Sequence, residues 1–244
     1  MIKIIYSHWL RTKRLPVRLV CILCPLLYAS LFSLFLLLSN ALRGIELFSF
    51  FSLFTMLTSF SMSFFVPMIY EADKEACLYA NDLRSGVSRR KNFLGKFLLI
   101  ALLVAAIEII ATLICILFLV TSMRVKIDLL QVLIFLAIQY LALMPMIVIY
   151  QFLTLKYSYT GSNLTGCFLT LSSILLGTID LGGPLWRYLP FTWSIKLSTL
   201  YGNELISIGD IFTRLGVSCI LTLILLWTFS IWYTKWDGLT QLEE

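Results

Sequence analysis

Charge is scarce in this sequence. Only 13% of its 244 residues are charged, against about 25% in a soluble domain. Histidine is scarcer still, with His8 alone. No His, Cys and carboxylate residues fall together at metal-ligand spacing, and no nucleophile has a base beside it. Neither hydrolytic nor metal chemistry is expected, so the chain reads as a non-enzyme that binds no metal or cofactor of its own. A phosphate-binding loop is also missing. Gly95-Lys96 has the ending of one, but Arg90 stands where its first glycine belongs. Phe97 occupies the position where Ser or Thr would hold magnesium. ATP, if used, is bound by another chain. Cys21 and Cys24 form a CxxC inside an apolar run, with no second pair and no histidine nearby. They read as inert buried thiols, since a free cysteine packs like a small hydrophobe.

What the sequence has in quantity is apolar surface. Hydrophobic residues make up 60% of the chain, and mean hydropathy is +0.94. A membrane helix needs about 20 mostly apolar residues, and six stretches qualify or nearly so. They are Leu15–Leu38, Leu47–Ile69, Phe97–Val120, Leu129–Leu153, Leu164–Ile179 and Ile211–Tyr233. The fifth is short and rich in Thr, Ser and Gly. The expected fold is an all-α membrane protein, a single domain over 1–244 with six transmembrane helices.

The net charge of +6 points to topology rather than to nucleic acid, because Lys and Arg stay on the cytoplasmic side of a membrane chain. Thirteen of the 19 Lys and Arg residues lie in the N-terminal segment, between spans two and three, at Lys156 or at Lys235. Both termini are therefore expected in the cytoplasm. The first apolar stretch is too long for a signal-peptide core, and reads as an uncleaved helix. Before it, residues 1–14 alternate at helical spacing. Ile2, Ile5, Tyr6 and Trp9 fall on one side, with Lys3, Ser7, Arg11 and Arg14 on the other. This is the pattern of a helix lying in the cytoplasmic interface.

Three places can carry function. The first is the loop 70–96, acidic at its start and basic at its end. Residues 71–83 favour a short helix that Ser85-Gly86 ends, and Ser88 is placed to cap the next. Such a projecting helix suits the groove of a cytoplasmic partner, and a solvated loop obeying the charge rule fits equally well. The second is Glu108, an acid in the middle of span three with no Lys or Arg at its depth. A carboxyl at membrane depth costs a few kcal/mol and is a functional candidate. It can bind a cationic ligand or a proton, or donate a hydrogen bond to Gln139 or a Thr. The third is the outer segment 181–210, where Trp186, Tyr188, Phe191 and Trp193 collect around Pro184 and Pro190. Aromatics gather at membrane interfaces on their own account.

The opening Trp9-Leu10-Arg11-Thr12-Lys13-Arg14 precedes a first span containing Pro25. The loop then runs Glu71, Asp73-Lys74-Glu75-Ala76, Asn81-Asp82-Leu83, Ser88-Arg89 and Gly95-Lys96. With six spans and a longer outer segment before the last, this arrangement resembles the permease subunit of a type 2 ABC exporter. More narrowly, it is similar to the small permeases that protect lantibiotic-producing bacteria from their own peptide. The resemblance covers nearly the whole chain through loose motifs. It implies a bacterial cytoplasmic membrane and a coupling helix between spans two and three. Glu71, Asp73, Glu75, Tyr79, Asp82 and Arg84 would face the ATPase from that helix. It implies that ATP and magnesium sit on a separate ATP-binding dimer, and that a second related permease completes the complex. The cargo would be a membrane-associated peptide. Trp186, Tyr188, Phe191 and Trp193 would belong to re-entrant helices closing the outer end. Two other functions fit the same residues: export of another amphipathic drug or lipid-like cargo, and a membrane scaffold or sensor without transport.

Overall fold

The computed structural model describes residues 1–39, 41–75, 79, 86–179 and 183–238. Among these residues every regular element is a helix. Helix α1 (Ile2–Arg11) and a 3₁₀ turn lead to α2 (Val17–Leu38) and α3 (Glu46–Glu75). Then follow α4 (Arg89–Thr121), α5 (Leu129–Thr178), a second 3₁₀ turn (Gly183–Tyr188), α6 (Pro190–Gly202) and α7 (Ile208–Lys235). Five of them, α2, α3, α4, α5 and α7, are long and apolar enough to cross a membrane. Their outer faces carry large apolar side chains such as Leu31, Leu117, Phe168 and Trp227, as a hydrocarbon solvent requires.

The expected fourth and fifth spans both fall inside α5. At 50 residues, this helix would be about 75 Å long if straight, far more than the ~30 Å hydrocarbon core. It is not straight. Ser158 breaks it, with φ 63° and ψ −170°. Leu143, Met146 and Tyr150 before the break share a small cavity with Leu169 and Thr170 after it. The chain therefore doubles back into two antiparallel arms, 129–157 and 159–178. No Pro or Gly marks the reversal itself. Lys74 donates to the Ser158 hydroxyl (2.7 Å) and fastens it to the end of α3.

Both arms pack on α3 through small and polar contacts. Gln139 donates to Thr58 (3.1 Å), Gln151 to the Tyr70 hydroxyl (2.9 Å), and Ser162 to the Ser63 carbonyl (3.3 Å). Gly166 lies so close to Ser63 that a Cβ there would overlap it. Lipid removes the hydrophobic drive for helix association, and close packing with interhelical hydrogen bonds takes its place. α6 inserts beside this pair, with Thr192 to Ser198 all buried. Ser59 and Ser194 share a hydrogen bond of 3.2 Å.

The helices thus fall into two groups. In one, α1 and α2 lie on α4; in the other, α3, α6 and α7 lie on α5. Packing across the seam between α2 and α3, and between α4 and α5, is sparser.

Three sequence expectations change. Residues 71–75 continue α3 instead of opening a separate helix, and most of 76–85 lies outside the described residues. Ser88 holds the cap position of α4, but its side chain makes no capping bond. In α1, Ile2 and Tyr6 are exposed, His8 is buried, and Ile4, Ile5 and Trp9 are partly covered. The cause is Gly95 of α4, whose missing side chain admits Ile4 and His8. Of the expected thiol pair, Cys21 is buried and Cys24 exposed, and both are free.

The Gly166–Ser63 contact gives a direct test. Gly166→Leu should destabilise the protein by about 1–3 kcal/mol through overpacking. Gly216→Leu, where an added Cβ meets nothing within 4 Å, should leave thermal melting in detergent unchanged. Equal melting of the two variants would overturn the close α3–α5 contact.

Candidate functional site

The charged loop of the sequence is, in space, the margin of a buried polar node. Asp73, near the end of α3, is at its centre. Its carboxylate accepts from Arg11 of α1 through Oδ1 (2.9 Å) and meets Lys96 of α4 through Oδ2 (2.7 Å). The Lys96 side chain is 2% exposed, and its ammonium lies 4.3 Å from the centre of the Tyr70 ring. A lysine this deep keeps its charge only with such partners. Arg11 is 38% exposed, so its own part of the pairing is weaker.

The node extends through the neighbouring chain. The Tyr79 backbone N–H donates to the Asp73 carbonyl (2.9 Å), and its ring sits edge-on to Trp236 (5.4 Å). Burial pushes the Tyr79 hydroxyl pKa upward, with the nearby Lys96 charge opposing part of that rise. Arg89, at the start of α4, donates to the carbonyls of Thr234 (3.0 Å) and Trp236 (2.7 Å). Those are carbonyls that the end of α7 leaves without helical partners. Phe93 and Tyr233 pack between them (5.7 Å). On the other flank, Arg18 of α2 donates to the Trp9 carbonyl (2.7 Å) and lies over its ring (4.2 Å).

The residues expected to face an ATPase divide accordingly. Asp73 and Tyr79 point into the fold, while Glu71 is partly exposed. Glu75 ends α3. Asp82 and Arg84 lie outside the described residues. Surface beside the node is supplied by Gly86, Val87, Ser88, Arg90 and Lys91, all exposed. The sequence reading missed Arg11 and Lys96 as partners of Asp73. The available signal was a lysine placed directly against an apolar run.

Two openings lie deeper, both along the seam. One is an apolar groove of ≈ 410 Å³ between α2 and α3, walled by Tyr28, Phe54, Phe65 and Met68. The other, ≈ 330 Å³, lies between α4 and α5 and contains Glu108. Glu108 is 2% exposed, and its Oε1 has no hydrogen-bond partner among the described residues. Gln139, a partner the sequence allowed, donates its amide nitrogen to Thr58 (3.1 Å) and makes no hydrogen bond to Glu108.

At the opposite end of the bundle, Trp186 and Trp193 are buried, Phe191 is half-buried and Tyr188 is exposed. The Trp186 carbonyl accepts from Thr192 and from the Trp193 indole, both at 3.1 Å. Arg214 lies over the Trp186 ring (4.5 Å). Trp186, Thr192 and Trp193 thus form one built unit, and Tyr188 stands outside it. Comparison of the chain with family models, curated proteins and solved structures gives no match. Among the described residues, no three His, Cys, Asp or Glu side chains come together as a metal site.

Asp73→Asn should cost about 3–5 kcal/mol, because it strips the shared carboxylate from a buried lysine. Adding Lys96→Met should restore most of that loss, since removing both charges is nearly neutral. Thermal melting of single and double variants checks this. A double variant no better than the single one would mean that Lys96 does not depend on Asp73.

Proposed function

We propose that this chain is the permease subunit of an ABC exporter in a bacterial cytoplasmic membrane, crossing it six times with both termini inside. The two antiparallel arms of α5 supply the fourth and fifth crossings. Its cargo is an amphipathic peptide of the lantibiotic type, removed from the membrane to give the producing cell immunity. The chain has no phosphate-binding loop, so ATP and magnesium belong to a partner ATPase dimer. A second permease completes the cavity.

The observation that carries this reading is the polar node. A partner that moves the segment 71–91 moves Asp73, Lys96 and Arg89, which reach α1, α3, α4 and α7 at once. A loop that served only to set topology needs no buried ion pair. In this reading the aromatic unit at the far end, around Trp186 and Trp193, closes the pathway on the outside.

Co-purification from native membranes in mild detergent tests the assembly. A stoichiometric ATPase with a second small permease is the expected result. Recovery of the chain alone, under conditions that preserve other complexes, would turn the reading to a scaffold or sensor. Coupling is tested by the double replacement Glu75→Lys and Asp82→Lys. Stimulated ATPase activity and peptide resistance should fall together. Resistance to a different amphipathic compound, with none to lantibiotics, would keep the permease and change the cargo.

A further inference from the structure

Glu108 is the one acid in the apolar middle of the bundle, and its surroundings define what it can bind. The α4 wall of its crevice is Ala105 and Ile109; the α5 wall is Leu136, Ala137, Tyr140 and Leu141. Ile109 is 50% exposed, so the crevice opens sideways toward lipid. The Tyr140 hydroxyl is already turned to the Ala101 carbonyl (3.3 Å). No Lys or Arg occurs from 97 to 123 or from 129 to 155, so no cation of α4 or α5 lies at this depth.

We infer that this crevice is a binding site for a primary amine carried on a hydrophobic body, with Glu108 as its only ionic contact. An isolated carboxylate in such a place is strongly disfavoured. A neutral carboxylic acid is tolerated, and so is a carboxylate paired with an ammonium. A neutral amine entering from the hydrocarbon takes the carboxyl proton on its nitrogen, and the two resulting charges stay together. Net charge in the crevice is zero before and after. The small side chains Ala105 and Ala137 leave ≈ 330 Å³, space for part of an alkyl chain beside the carboxyl. That the natural ligand is a peptide amine rests on the permease reading; the site itself does not.

Dicyclohexylcarbodiimide, a hydrophobic reagent for protonated carboxyls, reads the site. The acid proton passes to one carbodiimide nitrogen while a carboxyl oxygen adds to the central carbon. The adduct therefore keeps every atom of both reactants. The purified full chain in phosphatidylcholine nanodiscs should gain one adduct, on the peptide containing Glu108, by mass spectrometry. Glu108→Gln should lose it while melting normally. Ala137→Phe, which keeps the acid and fills the crevice, should lose most of it. Dodecylamine should preserve unmodified Glu108 at about one-tenth the concentration that dodecanol needs, as one charged hydrogen bond implies. A dodecylamide on Glu108, formed when the amine displaces the urea from the activated carboxyl, is counted as reacted and not as protected. No adduct on Glu108, or equal protection by amine and alcohol, overturns the site. No ATPase is present in this assay, so its outcome is independent of the co-purification that tests the permease reading.

Discussion

The Asp73 carboxylate is the point at which the two halves of this bundle meet. One oxygen holds α1 through Arg11 and the other holds α4 through Lys96, while Asp73 itself belongs to α3. A buried ion pair adds little net stability, because taking both charges out of water offsets their attraction. Its consequence is positional. Lys96 cannot leave this carboxylate without stranding a charge where only 2% of the side chain reaches solvent. The last turn of α3 and the first turns of α4 are therefore kept in register. Arg89 adds a second staple, from α4 to the last carbonyls of α7.

Above these staples the halves are held unequally. Within the α3–α5 half, Ser63 against Gly166, Thr58 against Gln139 and Tyr70 against Gln151 form a ladder of close contacts. Across the seam, side-chain hydrogen bonds among the described residues are fewer: Tyr28 donates to the Phe50 carbonyl (2.7 Å) and Tyr140 to the Ala101 carbonyl (3.3 Å). The two sides of the seam are otherwise lined mostly by Phe, Met, Leu, Ile and Ala, and the openings at Tyr28 and at Glu108 lie on it. Apolar side chains facing one another in lipid gain little by meeting, since hydrocarbon replaces either partner at small cost. The seam is thus stapled at one end and packed more sparsely along its length than the contact between α3 and α5.

Much of this was legible in the sequence. Runs of about 20 apolar residues locate the long helices, although α3 continues six residues past Ile69 and α4 starts eight before Phe97, and a lone acid in such a run marks Glu108 without any coordinates. The bend in α5 was less visible. Its residues Lys156-Tyr157-Ser158-Tyr159-Thr160 contain neither Pro nor Gly, and a single residue at positive φ replaces the loop that two spans imply. On α1, apolar spacing groups Ile2, Ile5, Tyr6 and Trp9 without saying which part of the helix meets protein. Only the gap above Gly95 selects His8 and Ile4. The Asp73 node was hidden for a different reason. Charges beside a span are fully explained by topology, so nothing in the chain announces that Asp73 pairs with a residue 62 positions away.

One helix carries both the lysine of the buried ion pair and the buried acid. Lys96 and Glu108 lie on α4, twelve residues and about 18 Å apart. Helices α2, α3 and α5 each contain a proline within them, at Pro25, Pro67 and Pro145, and α4 contains none. A proline removes a backbone hydrogen bond and lets a helix flex at that turn. With its ladder of backbone bonds unbroken, α4 behaves as a rod over this distance. Whatever widens the seam at Glu108 must tilt α4 away from α5, and that tilt is resisted at Lys96 by the carboxylate of Asp73. In an exporter, occupancy of the crevice and the position of the cytoplasmic segment would then be opposite ends of one rigid element, with no relay of side-chain movements needed between them.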